Sequence, residues 1–170
     1  MERHAANGIP NVKALVYVDA FAPAQGESAF ELTAKFPGSV LNSAPPSQVF
    51  TSVAFPGAPM GDALLYVNPA FFIQGFANDL SATEGAVAEA TQAPVTLSAV
   101  TAPSGAPAWK HIPSWDVVGT IDGAIPEAAQ MFMAERAHAH ITKVRAGHLS
   151  MVSQPGLVAE VITEAAHAVR

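Results

Sequence analysis

The sequence predicts an α/β protein in which a parallel sheet with flanking helices is interrupted by a helical lid. Three observations lead to this fold class. Short apolar runs of the kind found in strands buried on both faces occur at residues 14–18 and 115–120. Two strand–helix units follow one another in the last third of the chain, which is the pattern of a parallel sheet. A long segment of different composition separates the first apolar run from the second.

The three predicted strands differ in the strength of their pattern. Residues 14–18 (Ala-Leu-Val-Tyr-Val) form a continuous apolar run between Lys13 and Asp19. Residues 115–120 (Trp-Asp-Val-Val-Gly-Thr) are predicted to form the second strand, and residues 141–144 (Ile-Thr-Lys-Val) the third, which is weaker because it alternates.

Two helices complete the strand–helix units. Pro126 and Glu127 open the first, since proline favours the first helical turn, and this helix is predicted to end near Ala139. The second opens at Pro155, with Ser153 as its expected N-cap. The apolar face of this second helix is predicted to consist of Leu157, Val158, Val161 and Ile162. Strand–helix repeats of this kind join parallel strands by right-handed crossovers.

These patterns divide the chain into three parts. Residues 1–27 contain the end of a helix, predicted at residues 2–7, followed by the first strand. Residues 28–108 are predicted to form a mainly helical lid or cap. Residues 109–170 contain the two strand–helix units.

The lid segment is apolar and rich in aromatic residues. Seven of the nine phenylalanines lie between residues 30 and 76, and no Lys or Arg occurs between Phe36 and Trp109. Such a segment suits a subdomain with a core of its own, and it also suits a cover over an apolar pocket, which aromatic side chains commonly line. The predicted pocket residues are Phe71, Phe72 and Phe76.

Composition excludes several classes of function. The 8 Lys and Arg against 14 Asp and Glu give a net charge of −6, so no basic surface exists for nucleic acid. The absence of Cys excludes disulfides, thiolate metal sites and a Cys nucleophile. No apolar stretch reaches the ~18 residues that a membrane span needs. We therefore expect a soluble protein without nucleic-acid or membrane partners, and the lack of a basic segment leading into an apolar run favours a cytoplasmic location.

Two polar residues follow the second and third predicted strands. Asp122 comes after the second strand, and His148 comes after the third. Neighbouring parallel strands end at the same edge of a sheet, ~4.8 Å apart, so these side chains are expected to meet. An Asp that accepts a hydrogen bond from His Nδ1 fixes the tautomer and stabilises the imidazolium. Singly, Asp122 also suits a helix cap and His148 a turn; together, in this order, they favour an acid–base pair.

Other candidate sites are weaker. Asp19 follows the first strand and is an alternative acid, although a helix cap or a lid hinge explains it better. His138 and His140 alternate and could share a face, but no third ligand stands nearby, so no metal site is predicted. No Gly-x-Gly-x-x-Gly follows a strand, which disfavours a dinucleotide enzyme, and no cofactor is expected.

Several segments resemble small, esterase-like members of the α/β-fold hydrolase family. The segments that carry the resemblance are 11–28 (the exit of the family's sixth strand), 65–69 (the lid), 108–115 (the return to the seventh strand), 119–126 (the acid loop), 132–137 (the next helix) and 147–155 (the catalytic-His segment). The resemblance implies the C-terminal part of an α/β-hydrolase sheet, namely its sixth to eighth strands, with a lid insertion and a Ser–Asp–His triad. In that triad His148 is the base and Asp122 orients it.

One element of the family's pattern is missing. No Gly-x-Ser-x-Gly nucleophile elbow occurs in the chain, and neither Gly26-Glu27-Ser28 nor Ser104-Gly105 lies between a strand and a helix as the sharp turn of an elbow must. Residues before Asn11 are similar to the end of the helix that follows the elbow. The resemblance therefore implies that the nucleophile and the oxyanion donors belong to sequence outside this chain, and that the isolated chain is inactive.

These arguments predict hydrolysis of a carboxylic ester, or a related acyl compound, with an apolar moiety under the lid. A small-molecule ester is the expected partner. The alternative is a non-catalytic, hydrolase-derived binding or dimerisation module. On either interpretation the strand at residues 14–18 has an open sheet edge, because the nucleophile strand beside it in the family is absent, and poor solubility or pairing of two copies as a homodimer is expected.

Overall fold

The computed structural model of the chain describes residues 6–169 and contains a parallel sheet of three strands. The strands are β1 (Leu15–Val18), β5 (Ser114–Gly119) and β6 (His140–Val144), in the order β1-β5-β6. All six residues of the central strand β5 are buried. The predicted α/β class and the three predicted strands are confirmed.

Helices cover both faces of this sheet. Trp115 and Val117 of β5 pack against one side of α8 (Pro155–Ala168). Successive side chains of a strand point to opposite faces, so Asp116 lies on the other face. Tyr17, which pairs with Asp116 in the ladder, packs there into a second core cluster. That cluster is formed by α6 (Glu127–Arg136) and α1 (Ala29–Lys35), together with residues of their flanking loops.

The start of α8 differs from the prediction. Ser153 was the expected N-cap, but it ends a separate short helix, α7 (Ser150–Ser153), and Gln154 takes the N-cap position. Ile162 was expected on the apolar face but is 48% exposed. The predicted residues Val158 and Val161 are buried, Leu157 is partly buried against the same core, and Ala165 is buried in addition.

Residues 28–108, the predicted lid, contain strands as well as helices, and this segment is called the lid below. Three of its strands form a small antiparallel sheet, which the prediction did not contain. The lid elements after α1 are α2 (Pro46–Val49), β2 (Phe50–Val53), β3 (Leu64–Val67), α3 (Pro69–Gly75), α4 (Ala82–Ala90), β4 (Val95–Thr96) and α5 (Leu97–Thr101). Three of the four residues of β2 are exposed, so pairing with β3 creates this strand without a hydrophobic alternation that a sequence pattern could reveal.

The two ends of the lid meet beside α6. The backbones of Gly26 and Glu27 exchange hydrogen bonds with Ser104, each 2.8 Å long. Arg136 of α6 binds both carboxylate oxygens of Glu27 at 2.8 Å and lowers the pKa of that carboxyl below its usual range. Trp109 Nε1 donates to the Pro23 carbonyl at 3.1 Å. The lid therefore leaves and re-enters the sheet at one anchored point.

Residues 2–5 of the helix predicted at residues 2–7 lie outside the described residues, which begin with a turn at residues 6–8. No helix within residues 6–169 is long and apolar enough to cross a membrane.

Candidate active site

Asp122 and His148 lie at the same edge of the parallel sheet and contact each other. Asp122 follows β5, which ends at Gly119, and His148 follows β6, which ends at Val144. The His148 Nδ1 atom lies 2.8 Å from Asp122 Oδ2. The contact that the order of strands predicted is therefore present.

The Asp122 carboxylate is fully enclosed by donors. Its Oδ1 accepts from the backbone N–H groups of Ala124 at 2.7 Å and Ile125 at 2.8 Å. Its Oδ2 accepts from Gln130 Nε2 at 2.8 Å as well as from His148. A carboxylate has acceptor positions for all four donors. Because the side chain of Asp122 has no exposed surface, these hydrogen bonds fix its orientation.

The partner of Nδ1 determines what the rest of the imidazole can do. A carboxylate oxygen at Nδ1 can only accept, so Nδ1 carries the proton and Nε2 of the neutral ring is left as an acceptor. The His148 side chain is 20% exposed, whereas Asp122 is not exposed at all. This is the arrangement in which a histidine can take a proton at Nε2 while its other nitrogen stays bound to a carboxylate.

The lid places aromatic rings against the imidazole. Phe76, just after α3, meets the His148 ring edge-on, with ring centroids 4.7 Å apart. Phe72 stacks on Phe76 at 5.1 Å and is itself buried. Phe71, also predicted as a pocket residue, lies half-buried on the same helix and is not part of this stack. Two of the three predicted pocket residues are thus grouped at His148.

The lid also contacts the backbone of both loops. Asn78 Nδ2 donates to the Ile121 carbonyl at 2.7 Å, directly before Asp122. A Cβ atom on Gly147, directly before His148, would overlap with Asn78 Oδ1. A Cβ atom on Gly123 would lie 2.5 Å from the Gln74 carbonyl oxygen. Backbone atoms lie against Gly123, so only glycine fits there, whereas a side chain at Gly147 would displace the side chains of Asn78 and Asp79. The lid therefore packs closely against the loops that carry Asp122 and His148.

Asp19, the alternative acid, binds a different residue. Its Oδ2 accepts from the backbone N–H of Ser150 at 3.1 Å and from the Ser150 hydroxyl. It shares no hydrogen bond with His148. Asp19 is buried, and burial together with the charge of Asp122 raises its pKa to about 6. The structure thus gives Asp122, and not Asp19, the contact with the imidazole.

A second buried carboxyl lies on the central strand. Asp116 is 1% exposed, and its Oδ1 has no hydrogen-bond partner among the described residues. Burial, followed by the nearby charge of Asp19, raises the pKa of Asp116 to about 8. Asp116 therefore keeps its proton to a much higher pH than an ordinary Asp side chain does.

The histidine pair near β6 does not form a metal site in the described part of the chain. His140 stacks on Trp115 with ring centroids 4.8 Å apart. Within residues 6–169, no group of three His, Asp or Glu side chains is arranged to hold a metal ion.

Sequence reasoning missed two residues of this site. Gln130 is completely buried and binds Asp122, and Asn78 joins the lid to the acid loop. A Gln among apolar residues in the first turns of a helix is a signal for the first. Nothing in the pattern around Asn78 points to its contact, because its partner is a backbone carbonyl far away in the chain.

Comparison with known families agrees with the sheet and its loops. Residues 2–161 match the profile described as the Alpha/beta hydrolase family. The chain belongs to this family. Among curated proteins, none matches the sequence.

Solved structures show the extent of the shared fold. Polyneuridine aldehyde esterase superposes with a TM-score of 0.71 at 16% identity, over 96% of this chain and 64% of that one. Tomato methylketone synthase I, in complex with 2-tridecanone, superposes with a TM-score of 0.72 at 15% identity, over 99% of this chain and 67% of that one. A pyrethroid hydrolase from Sphingobium faniae JZ-2 superposes with a TM-score of 0.62 at 19% identity, over 95% of this chain and 64% of that one. The chain of this alpha/beta hydrolase thus spans about two-thirds of the length of the structures it resembles.

Proposed function

We propose that this chain carries the acid and the base of a Ser–Asp–His hydrolase that acts on carboxylic esters with an apolar moiety. The observation that carries the proposal is the 2.8 Å contact between His148 Nδ1 and the enclosed Asp122 carboxylate. The nucleophilic Ser and the oxyanion donors are assigned to sequence outside residues 1–170. The similarity in fold to an esterase and to a pyrethroid hydrolase supports the reaction class.

In this mechanism His148 moves the proton and Asp122 holds the ring. The Ser oxygen attacks the ester carbonyl carbon while His148 Nε2 takes the hydroxyl proton, and the same proton then goes to the leaving alcohol. Water, activated in the same way, releases the acid from the acyl-enzyme. Asp122 stays ionised throughout and stabilises the imidazolium that forms in each half of the reaction.

The rings beside His148 support an apolar substrate group. Phe76 presents its ring next to the imidazole, where the acyl or alcohol part of a bound ester would lie, and the buried Phe72 stacks behind it. Aromatic walls favour apolar groups by excluding water from them. We propose that amides are poorer substrates than esters.

The test compares two forms of the protein by initial rates with p-nitrophenyl acetate and butyrate. One form is the 170-residue chain, and the other, called here the extended form, joins it to the sequence encoded upstream of Met1. The chain alone is expected to show no hydrolysis above background, because the residual activity of triad mutants depends on the oxyanion hole. The extended form is expected to hydrolyse both esters. Turnover by the 170-residue chain that disappears when one of its own serines is replaced would overturn the proposal.

One observation favours the second candidate, a non-catalytic binding or dimerisation module. β1 is at the edge of the parallel sheet, and within residues 6–169 no strand pairs with its other side. An apolar strand with free backbone groups is a template for another strand. Sedimentation of the 170-residue chain over a range of concentrations tests this candidate. It predicts a discrete dimer that persists in the extended form, whereas the hydrolase proposal predicts that upstream sequence covers the edge and abolishes the dimer.

A further inference from the structure

Gln130 joins three parts of the candidate site through one buried side chain. It lies near the start of α6 and is 0% exposed. Its Nε2 donates to Asp122 Oδ2 at 2.8 Å and to the Ile125 carbonyl at 2.7 Å. Its Oε1 accepts from the backbone N–H of Gly119 at 3.3 Å. Every polar group of the amide is therefore paired, although none of it reaches solvent.

The orientation of this amide follows from its partners. Two acceptor oxygens, from Asp122 and Ile125, surround Nε2, and one N–H donor, from Gly119, faces Oε1. A flipped amide would place its oxygen against two oxygens and its NH₂ against an N–H group, which loses all three hydrogen bonds. Gln130 must therefore present its donor to Asp122.

This donor determines where Asp122 Oδ2 points. The torsion that orients a carboxylate is broad and roughly two-fold, so it needs external contacts to select one direction. Backbone N–H groups hold Oδ1, while Gln130 Nε2 and His148 Nδ1 meet at Oδ2. We propose that Gln130 is a positioning residue, which keeps Asp122 Oδ2 in line with His148 Nδ1. This proposal rests on the acid–base role proposed above for that pair.

An amide is suited to this position because it donates without adding charge. A Lys or Arg in place of Gln130 would bring a second positive charge to the Asp122 carboxylate and compete with the imidazolium for it. An Asp or Glu would repel the carboxylate. Gln supplies the hydrogen bond and leaves the electrostatic partnership of Asp122 to His148.

The first test uses NMR on the 170-residue chain and does not require hydrolysis. We expect a low-field proton resonance from His148 Nδ1–H, and we expect the side-chain amide resonances of Gln130 to shift as His148 gains its proton, because both donors share Oδ2. Amide resonances of Gln130 that do not respond to His148 protonation would overturn the proposal. This measurement needs no variant, so it decides the question even if substitutions prevent folding.

The second test compares two Gln→Met variants with the same readout. Gln130→Met keeps the length of the side chain but removes its donor, so the low-field His148 resonance should be lost through faster exchange. The matched control is Gln92→Met in the lid, where Gln92 also makes three hydrogen bonds: to Val67 N–H, to the Val67 carbonyl and to the Glu89 carbonyl. That variant should keep the resonance. Retention of the resonance in Gln130→Met, or its loss in both variants, would contradict a specific positioning role.

These readouts separate the two proposals. If the extended form hydrolyses no ester but the NMR results are as expected, the function is wrong and the arrangement of Gln130, Asp122 and His148 stands. If the extended form is active but the His148 resonance is unaffected by Gln130→Met, the hydrolase proposal stands and the positioning role fails.

Discussion

Two regions meet at His148: the acid end of the parallel sheet, which consists of β5 and the loop with Asp122, and the lid. Different interactions fix the side chains of the two regions. The whole of β5 is buried and leads to Asp122, whose carboxylate is fixed by four N–H donors. In the lid, β2 is mostly exposed, and the contact with His148 consists of the Phe76 ring. Hydrogen bonds in a buried site are directional and costly to leave unpaired, whereas ring packing tolerates small shifts. We therefore expect substitutions at the acid end to cause far larger losses than substitutions in the lid.

The largest effect is expected at the acid–base pair itself. In the extended form, His148→Ala removes the base and should lower kcat for p-nitrophenyl butyrate by up to about 10⁶-fold. Asp122→Asn removes the group that orients the base and should lower it by about 10⁴-fold. Asp19→Asn is the matched control, because Asn can still accept from Ser150 through its side-chain oxygen. It should cost less than about tenfold. A larger loss from Asp19→Asn than from Asp122→Asn would exchange the roles of the two acids.

The next largest effect is a pH dependence of stability caused by Asp116, the carboxyl buried in β5. The folded-state pKa of Asp116 is raised to about 8 from its ordinary value of 3.8, so the folded protein binds a proton that the unfolded chain has already released. The free energy of unfolding should therefore fall as the pH rises from 3.8 to about 8, by up to about 1.4 kcal/mol per pH unit. Asp19, with a pKa of about 6, contributes only to the lower part of the window.

Urea titrations of the chain and of Asp116→Asn between pH 6 and pH 8 measure this effect. The isosteric Asn variant should lose most of the slope in that range, because it has no proton to release. Equal slopes for the two proteins would show that Asp116 is not the group responsible.

A smaller loss of stability is expected where the lid touches the acid loop at Gly123. A Cβ on Gly123 would lie 2.5 Å from the Gln74 carbonyl and 3.1 Å from the Cα of Gly75, so Gly123→Ala must push the lid away from the acid loop. We expect the free energy of unfolding to fall by about 1–3 kcal/mol. Gly156→Ala is the control, since nothing lies within 4 Å of its added Cβ. In the helix α8 it should be neutral or stabilising by about 0.5–1 kcal/mol; similar losses from both variants would contradict the close contact.

The smallest effect is expected in the lid. Phe76→Leu removes the edge-on ring contact with His148 but keeps an apolar side chain. Such ring contacts contribute about 0.5–1.5 kcal/mol beyond burial, which corresponds to no more than about a tenfold change in kcat/KM in the extended form. KM for the butyrate ester should rise more than KM for the acetate ester. A loss as large as that of His148→Ala would mean that the lid, and not the hydrogen-bonded acid loop, sets the geometry of the site.

Much of the parallel sheet could be predicted because its signals are local. Burial on both faces gives continuous apolar runs, so the predicted strands 14–18 and 115–120 agree with β1 and β5 to within a residue at each end. The lid sheet could not be predicted in this way. Thr51 and Ser52 of β2 are exposed and become part of a strand only through their pairing with β3.

The site shows the same division. The contact between Asp122 and His148 follows from the order of strands, since both residues come after the ends of neighbouring parallel strands. Gln130 and Asn78 could not be assigned, because they bind atoms whose positions depend on how α6 and the lid pack. A buried amide is visible in a sequence only as a polar residue among apolar ones, which does not name its partner.

Covalent labelling distinguishes a chain that supplies only the acid and the base from one that also contains the nucleophile. A fluorophosphonate reacts with a serine that a neighbouring His activates, and mass spectrometry of the digested protein identifies the labelled residue. We expect that the 170-residue chain is not labelled, and that the extended form is labelled at a serine upstream of Met1. That labelling should disappear in His148→Ala. A label on a serine within residues 1–170 that is lost in His148→Ala would show that this chain contains its own nucleophile.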